Sequence, residues 1–173
     1  GLKDAGLLRR PGLESAFRDV SQEPFLPEEL VPLAGADIPL PAVLASGAPT
    51  VPSPRCLAAS MDLLELLEEH HVLLAGGLGG YPAAILASIV TGGKVVVVEK
   101  TEGMGSVCAS RLGSAGLRHI DVVGRPPEDT FDRILVLDPR GPPPSDLVRH
   151  LSDGGFLTCR GLGVHDLTFV KLV

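Results

Sequence analysis

The sequence has no tryptophan and few other aromatic residues, with one tyrosine and five phenylalanines among 173 residues. The hydrophobic core must therefore be built from leucine, valine, isoleucine and alanine. Cysteine is also scarce: Cys56, Cys108 and Cys159 are scattered along the chain without a C-x-x-C spacing. This pattern argues against a disulfide framework. It predicts free thiols in a reducing compartment, which we expect to be the cytoplasm.

Basic clusters and long apolar runs are missing as well. The formal net charge is −6 and the only adjacent basic pair is Arg9 and Arg10, which argues against a nucleic-acid partner. No apolar run is long enough to span a bilayer, and the N-terminus lacks a signal pattern. His70 and His71 adjoin each other without a further ligand cluster. We therefore predict no nucleic-acid partner, no membrane association and no metal site.

The length predicts one domain over residues 1–173. Residues 1–53 form a helical and then proline-rich region, while residues 54–173 alternate strands with helices. This alternation predicts an α/β fold with a mostly parallel sheet and helices on both faces. The last strand, 167–173, follows its neighbour after a short loop, so we expect it to pair antiparallel at the edge of the sheet. Because the first residue is glycine, we expect a trimmed chain or a fragment.

Periodicity places the main elements. Apolar residues at helical spacing predict helices over 13–20, from Pro54 to about Glu69, over 101–116 and over 145–151. Short apolar runs predict strands at 119–123, 131–137 and 156–160. Asp138 and Pro139 end the second of these strands, which indicates either an active-site group or a turn initiator.

Residues 71–99 contain most of a nucleotide-binding unit. An apolar strand leads into the loop Gly-Gly-Leu-Gly-Gly at 76–80, a helical segment follows, and a second apolar strand ends in an acid. In such a βαβ unit the loop N–H groups contact a ligand at a helix N-terminus, and the acid binds ribose hydroxyls. The alternative is an ordinary acid at the end of a strand. The candidate cofactor-binding residues are Gly76, Gly77, Gly79, Gly80 and Glu99.

Six ordered segments carry a family resemblance: 16–29 (AFRDVSQEPFLPEE), 36–41 (ADIPLP), 50–54 (TVPSP), 72–81 (VLLAGGLGGY), 131–134 (FDRI) and 151–155 (LSDGG). With these segments the chain resembles the protein-L-isoaspartate O-methyltransferases, class I enzymes that use S-adenosylmethionine. The resemblance implies a Rossmann-like class I methyltransferase sheet. It also implies methylation of the side-chain carboxylate of isoaspartyl residues in damaged proteins, which starts their repair.

The sequence departs from the family's pattern at ligand and substrate positions. Leu74 stands where the family has an acid that helps to hold the methionine end of the cofactor. Leu78 replaces the middle glycine of the loop, which places a branched side chain where a bare backbone normally approaches the cofactor. Arg125, which has no acceptor, stands where an aspartate would bind the adenine amine. Pro52 replaces the serine of the substrate loop. Ser53, one place later, is the candidate catalytic residue, with a helix cap as its alternative.

Three functions follow as hypotheses: a non-catalytic relative, a methyltransferase with a changed substrate, and an active isoaspartyl methyltransferase. The first is favoured, because the altered positions fall on the site while the pattern of the core is kept. It predicts a binding or assembly module with a protein or peptide partner. The chain also ends one strand short of the family's pattern. The apolar edge at 167–173 therefore predicts a homo-oligomer.

Overall fold

The computed structural model describes residues 10–138, 144–160 and 169–172. Within these ranges the helices are α1 (Pro11–Asp19), α2 (Pro54–Asp62), α3 (Tyr81–Ile89), α4 (Glu102–Ser114) and α5 (Pro144–Leu147). The strands are β1 (Leu40–Pro41), β2 (Thr50–Val51), β3 (His71–Ala75), β4 (Lys94–Val98), β5 (Asp121–Val123), β6 (Phe131–Val136), β7 (Leu151–Arg160) and β8 (Phe169–Leu172). Short 3-10 turns cover Glu23–Phe25, Glu28–Leu33 and Val148–His150.

Six of the strands form one sheet in the order β5-β4-β3-β6-β7-β8. Strands β5 to β7 run parallel, and β8 pairs antiparallel with β7. The predicted parallel sheet with an antiparallel edge strand is therefore confirmed, although 167, 168 and 173 lie outside the described residues. Strands β1 and β2 form a separate antiparallel pair.

The two faces of the sheet support two hydrophobic clusters. Along β3, Val72 and Leu74 belong to the first cluster, whereas Leu73 and Ala75 belong to the second, as alternation along a strand requires. The first cluster includes side chains from α1 to α4, and the second includes Leu147 of α5. Helices thus pack on both faces, as predicted. No helix in the described ranges has the length and apolarity needed to cross a bilayer.

The helix predicted from Pro54 to about Glu69 is shorter in the structure, because α2 ends at Asp62. The Arg133 guanidinium donates to the Leu64 carbonyl, and the Leu67 N–H donates to His70 Nδ1 at 3.0 Å. These are the backbone groups that a longer helix would use. Glu65 also adopts a positive φ of 51°, so the chain turns there toward β3.

The turn predicted at 153–155 is a bulge within β7. This strand starts at Leu151, before the predicted Phe156, and its register against β6 shifts between Phe131 and Arg133. Gly154 has a φ of +76°, which glycine adopts without steric cost. The predicted helix over 145–151 is α5 followed by a 3-10 turn.

Candidate functional site

The site lies at the carboxyl edge of the parallel sheet, where the strand order reverses between β3 and β6. Such a switch point is where open α/β sheets bind ligands. Gly76 follows β3 and packs against Asp138, which follows β6. A Cβ added to Gly76 would lie 2.6 Å from the Asp138 Cβ, and the φ of Gly76 is +94°. Only glycine fits where these two segments come together. Asp138 is half-buried and lies beside the glycine loop, so it belongs to the site.

The glycine loop is held against β4 and α4. A Cβ on Gly77 would come within 2.5 Å of Val97 Cγ1 and 2.9 Å of Cys108 Sγ. The next N–H, that of Leu78, donates to Glu99 Oε1 at 2.7 Å. Burial, together with the charge of Glu99, raises the pKa of Cys108 to about 12. This thiol therefore stays protonated at neutral pH and supplies no nucleophile.

The two leucines in the glycine unit point into the core. Leu78 has a φ of 48° and a side chain only 1% exposed, within the first cluster. The sequence predicts this side chain on the side where the cofactor approaches, and the structure instead packs it inside. Leu74 is fully buried between its register partners Val97 and Leu135. The methionine-end acid of the family's pattern is thus replaced by an apolar contact across three strands.

A cavity of about 350 Å³ opens beside Glu99, in the range of small-molecule sites. Its walls come from the carboxyl ends of β4 and β5 and from the first turns of α4. The lining residues are Glu99, Lys100, Glu102, Gly105, Ser106, Ala109, Val122, Val123 and Gly124. A Cβ on Gly105 would lie 3.7 Å from the Glu99 Cβ. The bare backbone of Gly105 therefore keeps space open in front of the buried carboxylate.

This cavity fits a nucleoside. Glu99 is 5% exposed and supplies acceptors that can bind vicinal hydroxyls. The valines of β5 supply an apolar wall for a base. Arg125 and its neighbours Glu128 and Asp129 are exposed, and none of them is among the residues that line the cavity. The base would thus meet backbone and valine at β5, and none of these three side chains would accept from its amine.

The N-terminal region covers the second half of the loop. Phe25 packs its ring on Gly80, where an added Cβ would lie 3.0 Å from Phe25 Cδ1, and its centroid is 6.0 Å from that of Tyr81. Arg111 donates from Nη1 to the carbonyls of Phe25 and Ala42, each at 2.8 Å. This contact was not predicted from the sequence, because an arginine on a predicted helix carries no signal of partners 69 and 86 residues away.

The candidate catalytic Ser53 lies at the N-cap of α2. Its hydroxyl accepts from the Cys56 N–H at 3.4 Å, which is the capping geometry of the alternative interpretation. Asp37 accepts from the backbone N–H and the Nε of Arg55, both at 3.0 Å. The Arg55 N–H, with a smaller contribution from the Ser53 hydroxyl, holds the pKa of Asp37 below its usual value. Ser53 is therefore engaged in a polar cluster that orders the start of α2.

Metal ligands are not grouped anywhere in the described ranges, where no three His, Cys, Asp or Glu side chains could hold an ion. His70 is buried and accepts the Leu67 N–H through Nδ1. Burial, and then the charge of Arg133, lowers the pKa of His70. This histidine is thus a neutral structural acceptor at the junction of α2 and β3.

Known proteins match this chain over a range that includes the whole candidate site. The family model of Protein-L-isoaspartate(D-aspartate) O-methyltransferase matches residues 1–160. A protein-L-isoaspartate O-methyltransferase of Methanopyrus kandleri is 33% identical over 162 residues, which are 89% of this chain and 70% of that protein. The resemblance inferred from the six segments is thereby confirmed.

Solved structures show the same fold. A protein-L-isoaspartate O-methyltransferase structure, 25% identical, superposes with a TM-score of 0.76 over 92% of this chain and 52% of its own. The chain thus spans about half the length of that protein. A structure from Plasmodium falciparum, described as a putative protein-L-isoaspartate O-methyltransferase in complex with S-adenosyl-L-homocysteine, is 16% identical. Its TM-score is 0.73 over 98% of this chain and 89% of its own. The class I methyltransferase fold is confirmed.

Proposed function

Since the chain belongs to the protein-L-isoaspartate O-methyltransferase family, we propose that it binds S-adenosylmethionine without methylating isoaspartyl residues. In this proposal the protein is a non-catalytic binding or assembly module in the cytoplasm, with a protein or peptide partner. The observation that carries it is the nucleoside-sized cavity beside Glu99, found together with a Ser53 hydroxyl that is already used as a helix cap.

The adenosyl part of the cofactor has two kinds of contact in this cavity, one for the ribose and one for the base. Glu99 would accept from the ribose hydroxyls, and the apolar wall at Val122 and Val123 would receive the base. The Leu78 N–H already fixes one carboxylate oxygen of Glu99. The acceptor is therefore oriented before a ligand arrives, which lowers the entropic cost of binding.

The reacting end has fewer contacts. Leu74 offers no charge to the methionine end, and Pro52 has neither a hydroxyl nor a backbone N–H to offer a substrate carboxylate. When bound, the cofactor would supply an activated methyl group, and transfer then depends on placing the acceptor against it. The Ser53 hydroxyl accepts from the Cys56 N–H as the cap of α2, and in this proposal it has that structural role rather than the placement of a substrate.

The alternative is an active methyltransferase acting on isoaspartyl carboxylates or on a changed substrate. It is favoured by relatives that carry the enzyme's name at 33% identity. It is also favoured by the half-buried position of Ser53 on the substrate-side loop. Both candidates require the cofactor, so cofactor binding is tested first.

Titration calorimetry with S-adenosylmethionine tests the cavity. We expect measurable binding to the wild-type protein, weakened about 10- to 100-fold by Glu99→Gln, because hydrogen bonds to a charged acceptor contribute about 1.5–3 kcal/mol. Asp121→Asn is the matched control: its carboxylate lies at the opposite edge of the sheet in an exposed pair with Lys94, which contributes little. Absence of wild-type binding, or equal weakening by both substitutions, would contradict the proposal.

A radiolabelled methyl-transfer assay on an isoaspartyl peptide separates the two candidates. We expect no incorporation above a protein-free blank. We also expect Ser53→Ala to lower the free energy of unfolding by about 1 kcal/mol through loss of the cap. Steady turnover by the wild type that Ser53→Ala abolishes would establish the alternative and overturn the non-catalytic function.

We also propose that the protein self-associates through β8. Among the strands that the structure describes, this one is the last in the sheet order, and an edge strand presents unpaired backbone groups that can pair with another chain. Sedimentation velocity over a wide concentration range should show a dimer or a larger species. A monomer throughout that range would contradict this proposal while leaving cofactor binding unaffected.

A further inference from the structure

Three segments that are distant in sequence meet at the guanidinium of Arg111 on α4. Its Nη1 donates to the Phe25 carbonyl in the first 3-10 turn and to the Ala42 carbonyl just after β1, each at 2.8 Å. The same nitrogen lies 2.7 Å from the place that a Cβ on Gly79 would occupy. The guanidinium therefore fills the space that a side chain on the loop would need.

Arg111 is half-buried where it makes this contact. The residues before and after it differ in burial: Leu112 is buried in the first cluster, whereas Ser110 is exposed, and Arg111 lies between these extremes. Burial lowers the pKa of Arg111, yet a guanidinium stays charged in a protein. Within the described ranges its hydrogen bonds go to the two neutral carbonyls of Phe25 and Ala42. Such charge-assisted bonds are stronger than those between neutral groups.

The segment held by Arg111 also shapes the loop. We call residues 25–42 the N-terminal cover. Its Phe25 ring lies against Gly80 and Tyr81, where α3 begins. Gly79 and Gly80 have φ values of +86° and +108°, so this part of the loop has the conformational freedom of glycine and little stiffness of its own. Apart from the Gly80 N–H, which donates to the Gly77 carbonyl at 2.8 Å, its conformation depends on what packs on it.

We infer that Arg111 is a positioning residue that holds the N-terminal cover on Gly79 and Gly80. It thereby sets the loop geometry in which Leu78 donates to Glu99. The residue contacts no ligand in this role. It couples the substrate-side segment, which continues through β1 and β2 to Ser53, to the cofactor side of the protein. The effect on cofactor affinity rests on the proposed function, whereas the coupling of the cover and the loop does not.

Hydrogen exchange measured by mass spectrometry tests the coupling without any ligand. Arg111→Met keeps a side chain of similar length and removes the donors. We expect exchange to rise by about tenfold or more in peptides covering 20–45 and 76–82, with β4 and β6 unchanged. Arg118→Met, on an exposed arginine just after the same helix, should leave both peptides at wild-type rates.

A conservative variant, Arg111→Lys, tests whether the guanidinium itself holds the N-terminal cover, or only its positive charge and its volume. Arg111→Lys keeps the charge and a donor group, but an ammonium is more strongly hydrated than a guanidinium and its stem is flexible, so we expect exchange rates between those of wild type and Arg111→Met. Wild-type exchange in both peptides of Arg111→Met would overturn the inference. A uniform rise that includes β4 and β6 would overturn it too, because Arg111 would then support the fold as a whole.

Cofactor titration adds a second, separable readout. If wild type binds S-adenosylmethionine, Arg111→Met should weaken binding about 3- to 10-fold, and Arg118→Met should not. Unchanged affinity despite raised exchange would overturn the claim that the cover sets the loop geometry of the bound state. A wild type that binds no cofactor contradicts the proposed function, and the exchange experiment alone then decides on the coupling.

Discussion

Replacing Leu78 with glycine is expected to destabilise the protein by about 2–4 kcal/mol, although glycine is the residue that the loop's pattern calls for. Leu78 is 1% exposed and lies in the first hydrophobic cluster. Removing its side chain leaves a cavity, and large-to-small substitutions in cores typically cost about 2–5 kcal/mol. Part of this cost is returned, because the φ of 48° is unfavourable for leucine by about 1–2 kcal/mol.

Chemical denaturation of variants at position 78 measures their free energies of unfolding, and so compares the lost packing with the relieved backbone strain. Leu78→Ala also loses the packing but keeps the strained backbone. We therefore expect it to be less stable than Leu78→Gly by about 0.5–1 kcal/mol, the reverse of the order in helices and strands. Gly116→Ala is a control for a left-handed glycine with open space around it, at a φ of +81°. A Leu78→Gly protein as stable as wild type would show that this side chain does not support the core.

The central βαβ unit was predictable because its signals are local. A run such as Val95–Val98 has the β-branched composition of a buried strand, and clustered glycines mark the turn into α3. The parallel order of the sheet follows from alternation with helices. The structure has β3, α3 and β4 in the predicted order, with the glycine loop between β3 and α3.

The end of α2 was not predictable from the sequence pattern. The apolar spacing continues past Asp62, so periodicity alone extends the helix. The groups that stop it come from elsewhere in the chain: the guanidinium of Arg133, some 70 residues away, and the ring of His70. Tertiary hydrogen bonds override local propensity here.

Part of the candidate site was likewise predictable from the sequence, and part of it was not. The sequence places Glu99 at the end of a strand, and the structure shows this carboxylate lining the cavity and bonded to the loop. The orientation of Leu78 was not visible, because a left-handed backbone turns the side chain away from the side expected in a regular loop. Arg111 was missed for a related reason: its partners are backbone carbonyls, which leave no trace in residue identities.

The departures from the family's pattern therefore differ in physical kind. Pro52 and Arg125 lie at partly or fully exposed positions, where a substitution affects contacts to a ligand more than the fold. Leu74 and Leu78 are buried and stabilise the protein. Restoring the family's residue at a buried position should damage the fold that now surrounds it, and Leu74 gives the sharper test.

Leu74→Glu is expected to destabilise the protein by about 3–5 kcal/mol at neutral pH, even though an acid is the family's residue at this position. The side chain is fully buried, with Val97 and Leu135 as its register partners on either side. A carboxylate among these groups loses its hydration without gaining a partner. Burial then raises the pKa of the introduced glutamate above about 4.3, the value for an unfolded chain.

The pH dependence of this variant identifies the cause. Below about pH 4 the new carboxyl is protonated in both the folded and the unfolded state, so the penalty relative to wild type is smallest. As pH rises, the unfolded chain releases the proton first. The penalty grows by about 1.4 kcal/mol per pH unit until the pKa of the folded state is reached.

Leu74→Gln should show a penalty without this pH dependence, and Leu74→Met should cost less than about 1.5 kcal/mol. If Leu74→Glu has a pH-independent penalty equal to that of Leu74→Gln, the carboxylate is hydrated or partnered. Position 74 could then still hold the cofactor's methionine end.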